Sequence, residues 1–328
     1  MPLKKIIIPL FLLSTLLQIS NTKHLTFEEL TEQLIKENTQ MKIIAVAGAD
    51  SEETLQTCRL AKDKKICDSL LIGDEEKIKN IAKEAEIDIS DFKLVNIKDP
   101  IEISRYTTKI VHDGVADMYY KGSVETDVVL KSISDPEIGL KTNKIFSYVA
   151  VFEFQGKILF LTDPVIVSYP TLEEKIKLIE NCVDFARSVG IEVPKVAVVA
   201  AVSVVSPKMV ETVEANTLTE MNKKNEIQNC IVDGPMSLDL AVSKESVEMK
   251  QSDRRINGDA DIILFPDVHS GNVSYKILKH LSKAMSGNVL LGPKRPVIIN
   301  SRADNVQMKL NSIVLGFTYD KFNKENNK

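Results

Sequence analysis

Ile43-Ile44-Ala45-Val46-Ala47, then Gly48-Ala49-Asp50, then Ser51-Glu52-Glu53-Thr54, is the stretch that decides the fold. An unbroken run of β-branched and small apolar residues reads as a strand buried on both faces. Gly48 turns the chain, and Asp50 with Glu53 three residues on predicts a capping box opening a helix. The unit recurs outward. Leu70-Leu71-Ile72-Gly73 reads as a strand before a charged helix running through Ala85. Phe92 to Ile97 is a third strand, Ser104 to His112 a helix, and Val115 to Tyr119 strand-like. This alternation argues for parallel strands with helices on both faces.

The rhythm breaks at Tyr148 to Phe154 and Ile158 to Thr162, two apolar runs around Gln155-Gly156-Lys157. That is a hairpin signal, hence antiparallel, and marks a second unit. Beyond it, Thr171 to Val189 reads as an amphipathic helix stopped at Gly190. Val196 to Ala201, Cys230 to Asp233, Ile262 to Phe265 and Val297 to Asn300 read as strands. Met209–Lys224, Ser237–Glu248, Ser274–Met285 and Val306–Phe317 read as helices, and the polar tail from Asp320 to Lys328 as frayed.

Composition excludes several functions. The 328 residues carry 42 Lys and Arg against 46 Asp and Glu, net −4, so no basic excess serves a nucleic-acid backbone. With 44% hydrophobic and 27% charged residues the chain is globular rather than disordered. Cys58, Cys67, Cys182 and Cys230 are widely spaced with no CxxC, and the histidines are scattered. They read as buried thiols of a reducing, cytoplasmic compartment, with no metal site. Residues 1–23 carry Lys4 and Lys5 before an apolar run from Ile6 to Leu17, too short to span a bilayer. They read either as a secretory signal or as an extension ahead of the fold. The lack of a small-x-small cleavage site favours the extension.

Ligands of open α/β sheets bind beyond the carboxyl ends of strands. Four post-strand loops there carry small residues, an acid and hydrogen-bonding side chains before a helix start: Thr162-Asp163-Pro164, Asp233 to Asp239, Pro266 to Asn272 and Asn300 to Asp304. Helix starts suit phosphate or carboxylate, although the same residues also make caps and turns. No GxxxxGK[ST], GxGxxG or GxSxG occurs, which argues against a P-loop, a dinucleotide fingerprint and a serine hydrolase. His269 has no nucleophile beside it in sequence. Together these point to an anionic substrate that supplies its own nucleophile.

The run Asp259 to Lys276 resembles the strand-loop-helix signature of the phosphate acetyl/butyryltransferase family. So do Val232-Asp233-Gly234-Pro235 with Asp239, and Ser301-Arg302-Ala303-Asp304 with Lys309 to Ile313. Ala116 to Val124, with Lys121-Gly122, resembles the family's Lys-Gly segment. Pro194 to Ala197, Lys208-Met209 and Thr212 to Ala215 also match. The ordered set spans Leu25 to Phe317 and looks closer to the butyryl branch than to the acetyl branch.

The resemblance implies a two-domain α/β fold of the isopropylmalate-dehydrogenase-like kind, with the site in a cleft. The first domain would be residues 24–144 plus 300–328, and the second 145–299. It implies a homodimer, no membrane or nucleic-acid partner, and no bound cofactor or metal. The reaction implied is acyl-CoA plus phosphate giving acyl phosphate plus coenzyme A, by direct displacement at the thioester carbonyl. Ser301 would donate to the tetrahedral oxyanion, and Arg302 would fork onto phosphate oxygens. The family's cationic position before the hairpin falls in Leu140 to Lys144 and goes to Lys141. Lys121, Gly122, Asp233, Gly234, Pro235, Asp239, Asp267, Gly271 and Asn272 would line the substrate and coenzyme A cleft. Acetyl enzymes carry an Asp seven residues after the motif serine; here that position is Met308. Asp304 is the nearest carboxylate, either as base or as cap of the last helix. Val167 stands where relatives often carry Asn. The alternatives are a phosphate acetyltransferase, a non-catalytic acyl-CoA binder, or a decarboxylating NAD(P) dehydrogenase; a DxxxD metal-binding helix, which would favour the last, is not found.

Overall fold

The computed structural model describes residues 25–37, 39–154 and 156–326. The leader-like residues 1–23 lie outside the described residues. The chain opens with α1 (Phe27–Glu37), β1 (Lys42–Ala47), α2 (Glu52–Asp63), β2 (Cys67–Gly73), α3 (Glu75–Glu84) and β3 (Lys93–Asn96). It continues through α4 (Pro100–His112), β4 (Met118–Lys121) and α5 (Thr126–Ile133) to the hairpin β5 (Ser147–Phe154) and β6 (Lys157–Thr162). Then come α6 (Leu172–Ser188), β7 (Lys195–Val199), α7 (Val210–Lys223), β8 (Ile231–Met236), α8 (Leu238–Val242) and α9 (Lys244–Met249). The last elements are β9 (Ile262–Leu264), α10 (Val268–Leu281), β10 (Met285–Leu291), β11 (Val297–Ile299) and α11 (Val306–Asn326).

Alternating apolar residues explain the layers, because successive side chains of a strand face opposite sides of the sheet. Ile44, Val46, Val149, Val151, Val196 and Val198 bury against α1, α2, α6, α7 and α11. Ala45, Ala47, Ala150, Phe152, Ala197 and Val199 bury against α4, α5, α8 and α10. All four cysteines are buried and free. Among the described residues no helix is long and apolar enough to cross a membrane.

The hairpin does not begin a separate sheet. The strands form one eleven-stranded sheet in the order β3-β2-β1-β4-β11-β10-β5-β6-β9-β7-β8. The joint is β10, which the sequence reading missed. Its Met285-Ser286-Gly287-Asn288 start lacks the apolar run of the other strands, yet it pairs antiparallel with both β5 and β11. Polarity therefore reverses across the sheet. β1 to β4, β11 and β5 run one way; β6 to β9 and β10 run the other.

Three local expectations also change. Ser51, not Asp50, caps α2, accepting from the Thr54 amide at 3.3 Å, because Asp50 is bonded to the Ser123 hydroxyl instead. The tail is not frayed from Asp320: α11 continues to Asn326, held by buried Asp320 and Tyr319. Asp233-Gly234-Pro235 does not form a post-strand loop but lies within β8.

Candidate active site

The sheet order reverses between β1 and β4, so the crevice beyond their carboxyl ends is where this topology offers a ligand site. A pocket of about 310 Å3 lies there. Its walls come from three loops: Ser51, Glu53 and Thr54 after β1; Lys121, Gly122 and Ser123 at the end of β4; and Asn300, Ser301 and Arg302 after β11. Lys309 of α11 completes it. The first two loops touch backbone to backbone. The Gly122 amide donates to the Ala47 carbonyl at 2.9 Å and the Ser123 amide to the Gly48 carbonyl at 2.8 Å. A Cβ on Gly122 would collide with the Gly48 carbonyl, so this crossing needs glycine.

The pocket is cationic and under-compensated. Lys121 is 5% exposed and Lys309 4% exposed, and neither is ion-paired among the described residues. Lys121 makes one long hydrogen bond, to the Gly122 carbonyl at 3.3 Å. Burial pushes both ammonium groups below the ordinary lysine range, and Arg302 lowers Lys121 further. An unpaired buried charge is costly, and its usual resolution is an anion. The Thr54 and Ser301 hydroxyls add neutral donors around it, while those of Ser51 and Ser123 donate to Thr54 and to Asp50. Arg302 is exposed, paired with an equally exposed Glu125, and donates at 3.4 Å to the Ser123 carbonyl. Such an exposed pair is weak and leaves the guanidinium exchangeable.

Asp304 lies behind this wall, 1% exposed. One carboxylate oxygen accepts from the Ser301 amide at 3.0 Å and from Asn300 Nδ2 at 3.2 Å. The other is ion-paired with buried Lys279 of α10. Capping of the last helix falls to Asn305, which accepts from the Met308 amide at 2.9 Å. Met308 is not among the pocket's lining residues.

The remaining sequence-chosen residues stand elsewhere. Lys141 is exposed between α5 and β5. Asp233 is buried and structural: Arg254 donates to it at 2.8 Å and the Arg255 amide at 3.0 Å. Gly234 lies against Val198 of β7, with its carbonyl accepting from Thr219 at 3.0 Å. Pro235 is buried beside it, and Asp239 is a surface partner of Lys250 at 2.6 Å. Gly271 packs α10 onto Asp163 and Pro164, and Asn272 donates to the Pro164 carbonyl at 2.9 Å. Asp267 caps α10 and lines a second hollow of about 460 Å3, with Val199, Ala200, Ala201, Met209, Leu238 and Phe265. Thus Lys121, Gly122, Ser301 and Arg302 converge, while Asp233, Gly234, Asp239, Asp267, Gly271, Asn272 and Lys141 do not line their pocket. Sequence reasoning missed Lys309 and Glu53 as pocket residues. Their signal is a Lys in the first turn of α11 and an acid in the first turn of α2, both ordinary on a helix surface. Among the described residues no cluster could hold a metal ion.

The family described as "Phosphate acetyl/butaryl transferase" matches this sequence over residues 25–110 and 97–317. A phosphate butyryltransferase of Clostridium beijerinckii is 40% identical over 291 residues, covering 88% of this chain and 96% of its own length. A phosphate acetyltransferase of Thermotoga maritima is 38% identical over 282 residues, covering 85% and 95%. The crystal structure of a branched-chain phosphotransacylase from Enterococcus faecalis superposes with a TM-score of 0.76 at 31% identity, covering 85% of this chain and 99% of that one. On the extent of these matches, this chain belongs to the phosphate acetyl/butyryltransferase family.

Proposed function

We propose that the chain moves an acyl group between coenzyme A and inorganic phosphate, with the phosphate seated in the pocket of Lys121, Lys309, Ser301 and Arg302. The protein is an acyltransferase, and its substrates are acyl-CoA and phosphate. The observation that carries the reading is the pair of buried lysines without carboxylate partners, facing a pocket ringed with hydroxyls. A phosphate oxyanion fits that need in charge and in hydrogen bonding.

One phosphate oxygen attacks the thioester carbonyl carbon, the carbonyl π-electrons move onto oxygen, and the C–S bond then breaks. Lys121 and Lys309 hold the nucleophile by charge, and Arg302 swings from Glu125 onto it. Ser301 donates to the developing oxyanion. Asp304 acts as a positioning residue rather than a base, since both its oxygens are engaged in holding the Ser301 turn. No protein adduct is needed.

The finer features follow the same reading. The polarity reversal around β10 supports a two-domain organisation with a boundary near the β5–β6 hairpin and a return near Asn300. The isopropylmalate-dehydrogenase-like assignment, the homodimer and the cytoplasmic location belong to this proposal, as does a preference for butyryl over acetyl groups. The test is thiol release from acetyl-CoA and butyryl-CoA with phosphate. Phosphate-dependent release, faster for butyryl-CoA, supports the reading; no release with any C2 to C5 acyl-CoA overturns it.

A further inference from the structure

Transfer from acyl phosphate to coenzyme A requires the thiol to lose a proton, because the thiolate is the nucleophile. The carboxylates near the pocket can be sorted by what already holds them. Asp304 is buried with both oxygens occupied. Asp50 is engaged by the Ser123 hydroxyl and does not line the pocket. Glu125, which Arg302 leaves on turning to phosphate, stands exposed outside the lining. Glu53 is the one carboxylate among the lining residues. It sits in the first turn of α2, opposite Lys309, whose charge it favours. It is solvent-facing, as a group exchanging protons with an arriving thiol must be.

We propose that Glu53 is the general base for coenzyme A, an assignment that rests on the acyl-transfer reading above. The Glu53 carboxylate takes the S–H proton as sulfur forms a bond to the acyl carbonyl carbon. The tetrahedral intermediate collapses with rupture of the bond from that carbon to the phosphate oxygen, and the electron pair leaves with phosphate. Protonated Glu53 then returns its proton to the former bridging oxygen, so phosphate leaves as its hydrogen-phosphate dianion and the carboxylate is regenerated. In the opposite direction the same carboxylic acid protonates the coenzyme A thiolate as it leaves.

The assignment carries a diagnostic split. A carboxylate beside an oxyanion seat opposes phosphate binding, so its neutralisation lowers the turnover number without weakening phosphate. A residue that merely held Lys309 in place would behave in the opposite sense, loosening phosphate when removed. The experiment compares wild type, Glu53→Gln and Glu53→Ala in both directions, with thermal melts to confirm folding. With acyl phosphate and coenzyme A, Glu53→Gln is expected to lose about 10²–10⁴-fold in kcat. Its KM for phosphate in the other direction stays level or falls, and added formate restores turnover to Glu53→Ala in a saturable way. If Glu53→Gln keeps kcat within roughly threefold of wild type, far short of a general-base contribution, or if its phosphate KM rises, the assignment is overturned. Absence of acyl transfer in wild type would instead defeat the underlying activity, so the two failures are distinguishable.

Discussion

The two hollows beyond the strand ends are built from opposite chemistry. The one between β1, β4 and β11 is lined by three cations and four hydroxyls. The one beyond β7 and β9 is lined mainly by Val199, Ala200, Ala201, Met209, Leu238, Phe265 and Pro266. They lie at opposite edges of one sheet, because polarity reverses at β10. α10 links them. Its start docks by Gly271 and Asn272 against the chain after β6, and Lys279, about 12 Å further along the helix axis than Gly271, pairs with Asp304 behind the Ser301 turn. The comparison teaches that buried cations are of two kinds, since Lys175 of α6 is likewise buried but is compensated by Glu214. Lys279 is compensated and holds the structure; Lys121 and Lys309 are not.

Breaking the compensated cation has the largest effect. Lys279→Met leaves Asp304 buried and unpaired, and is expected to cost about 3–5 kcal/mol in denaturant melts. The double variant Lys279→Met/Asp304→Leu recovers part of that loss in stability but not the geometry of the Ser301 turn.

The uncompensated cations give the contrary result. Lys121→Met removes an unpaired buried charge, so stability holds or rises. Its KM for phosphate rises about 10- to 100-fold, in keeping with about 1.5–3 kcal/mol for a hydrogen bond to a charged group. Melts and initial rates on the same sample check both halves. Arg302→Ala also raises the phosphate KM, with less effect on stability because the side chain is exposed.

A smaller effect is expected with pH. Burial holds Lys121 and Lys309 below the ordinary value of 10.5. As pH rises toward that value they discharge before exposed lysines do, so the phosphate KM climbs. Stability moves the other way. The unfolded chain keeps these protons to higher pH than the fold, so unfolding free energy rises across the window between the lowered and the ordinary lysine values. Both trends flatten in Lys121→Met/Lys309→Met. The smallest effect belongs to the apolar hollow. Leu238→Ala, at a partly exposed position, changes the phosphate KM by no more than about 0.5 kcal/mol in free-energy terms.

Strands such as Ile43 to Ala47 and Val196 to Val199 were legible because continuous apolar runs have few alternative fates. The helix from Thr171 was legible from its apolar face, while the capping box of Thr171 with Glu174 that fixes its start was not singled out. β10 was not legible, because Ser286, Gly287 and Asn288 are buried by their neighbours rather than by their own hydrophobicity. Asn288 and Ser286 meet Ser312 and Asn311 of α11, partners more than twenty residues away. The site followed the same rule. Ser301, Arg302, Lys121 and Gly122 occupy strand-end loops whose convergence topology dictates. Asp233 and Gly234 looked alike in sequence, yet the strand continues through them, and Arg254 consumes the carboxylate. Lys309 and Glu53 become pocket residues only once α2 and α11 are packed side by side.

The most direct test of the central claim is calorimetric titration of inorganic phosphate into wild type and into Lys121→Met/Lys309→Met. Saturable binding to wild type, lost in the double variant while its melting temperature is maintained, is the predicted result. Equal phosphate affinity in the two proteins would contradict the account.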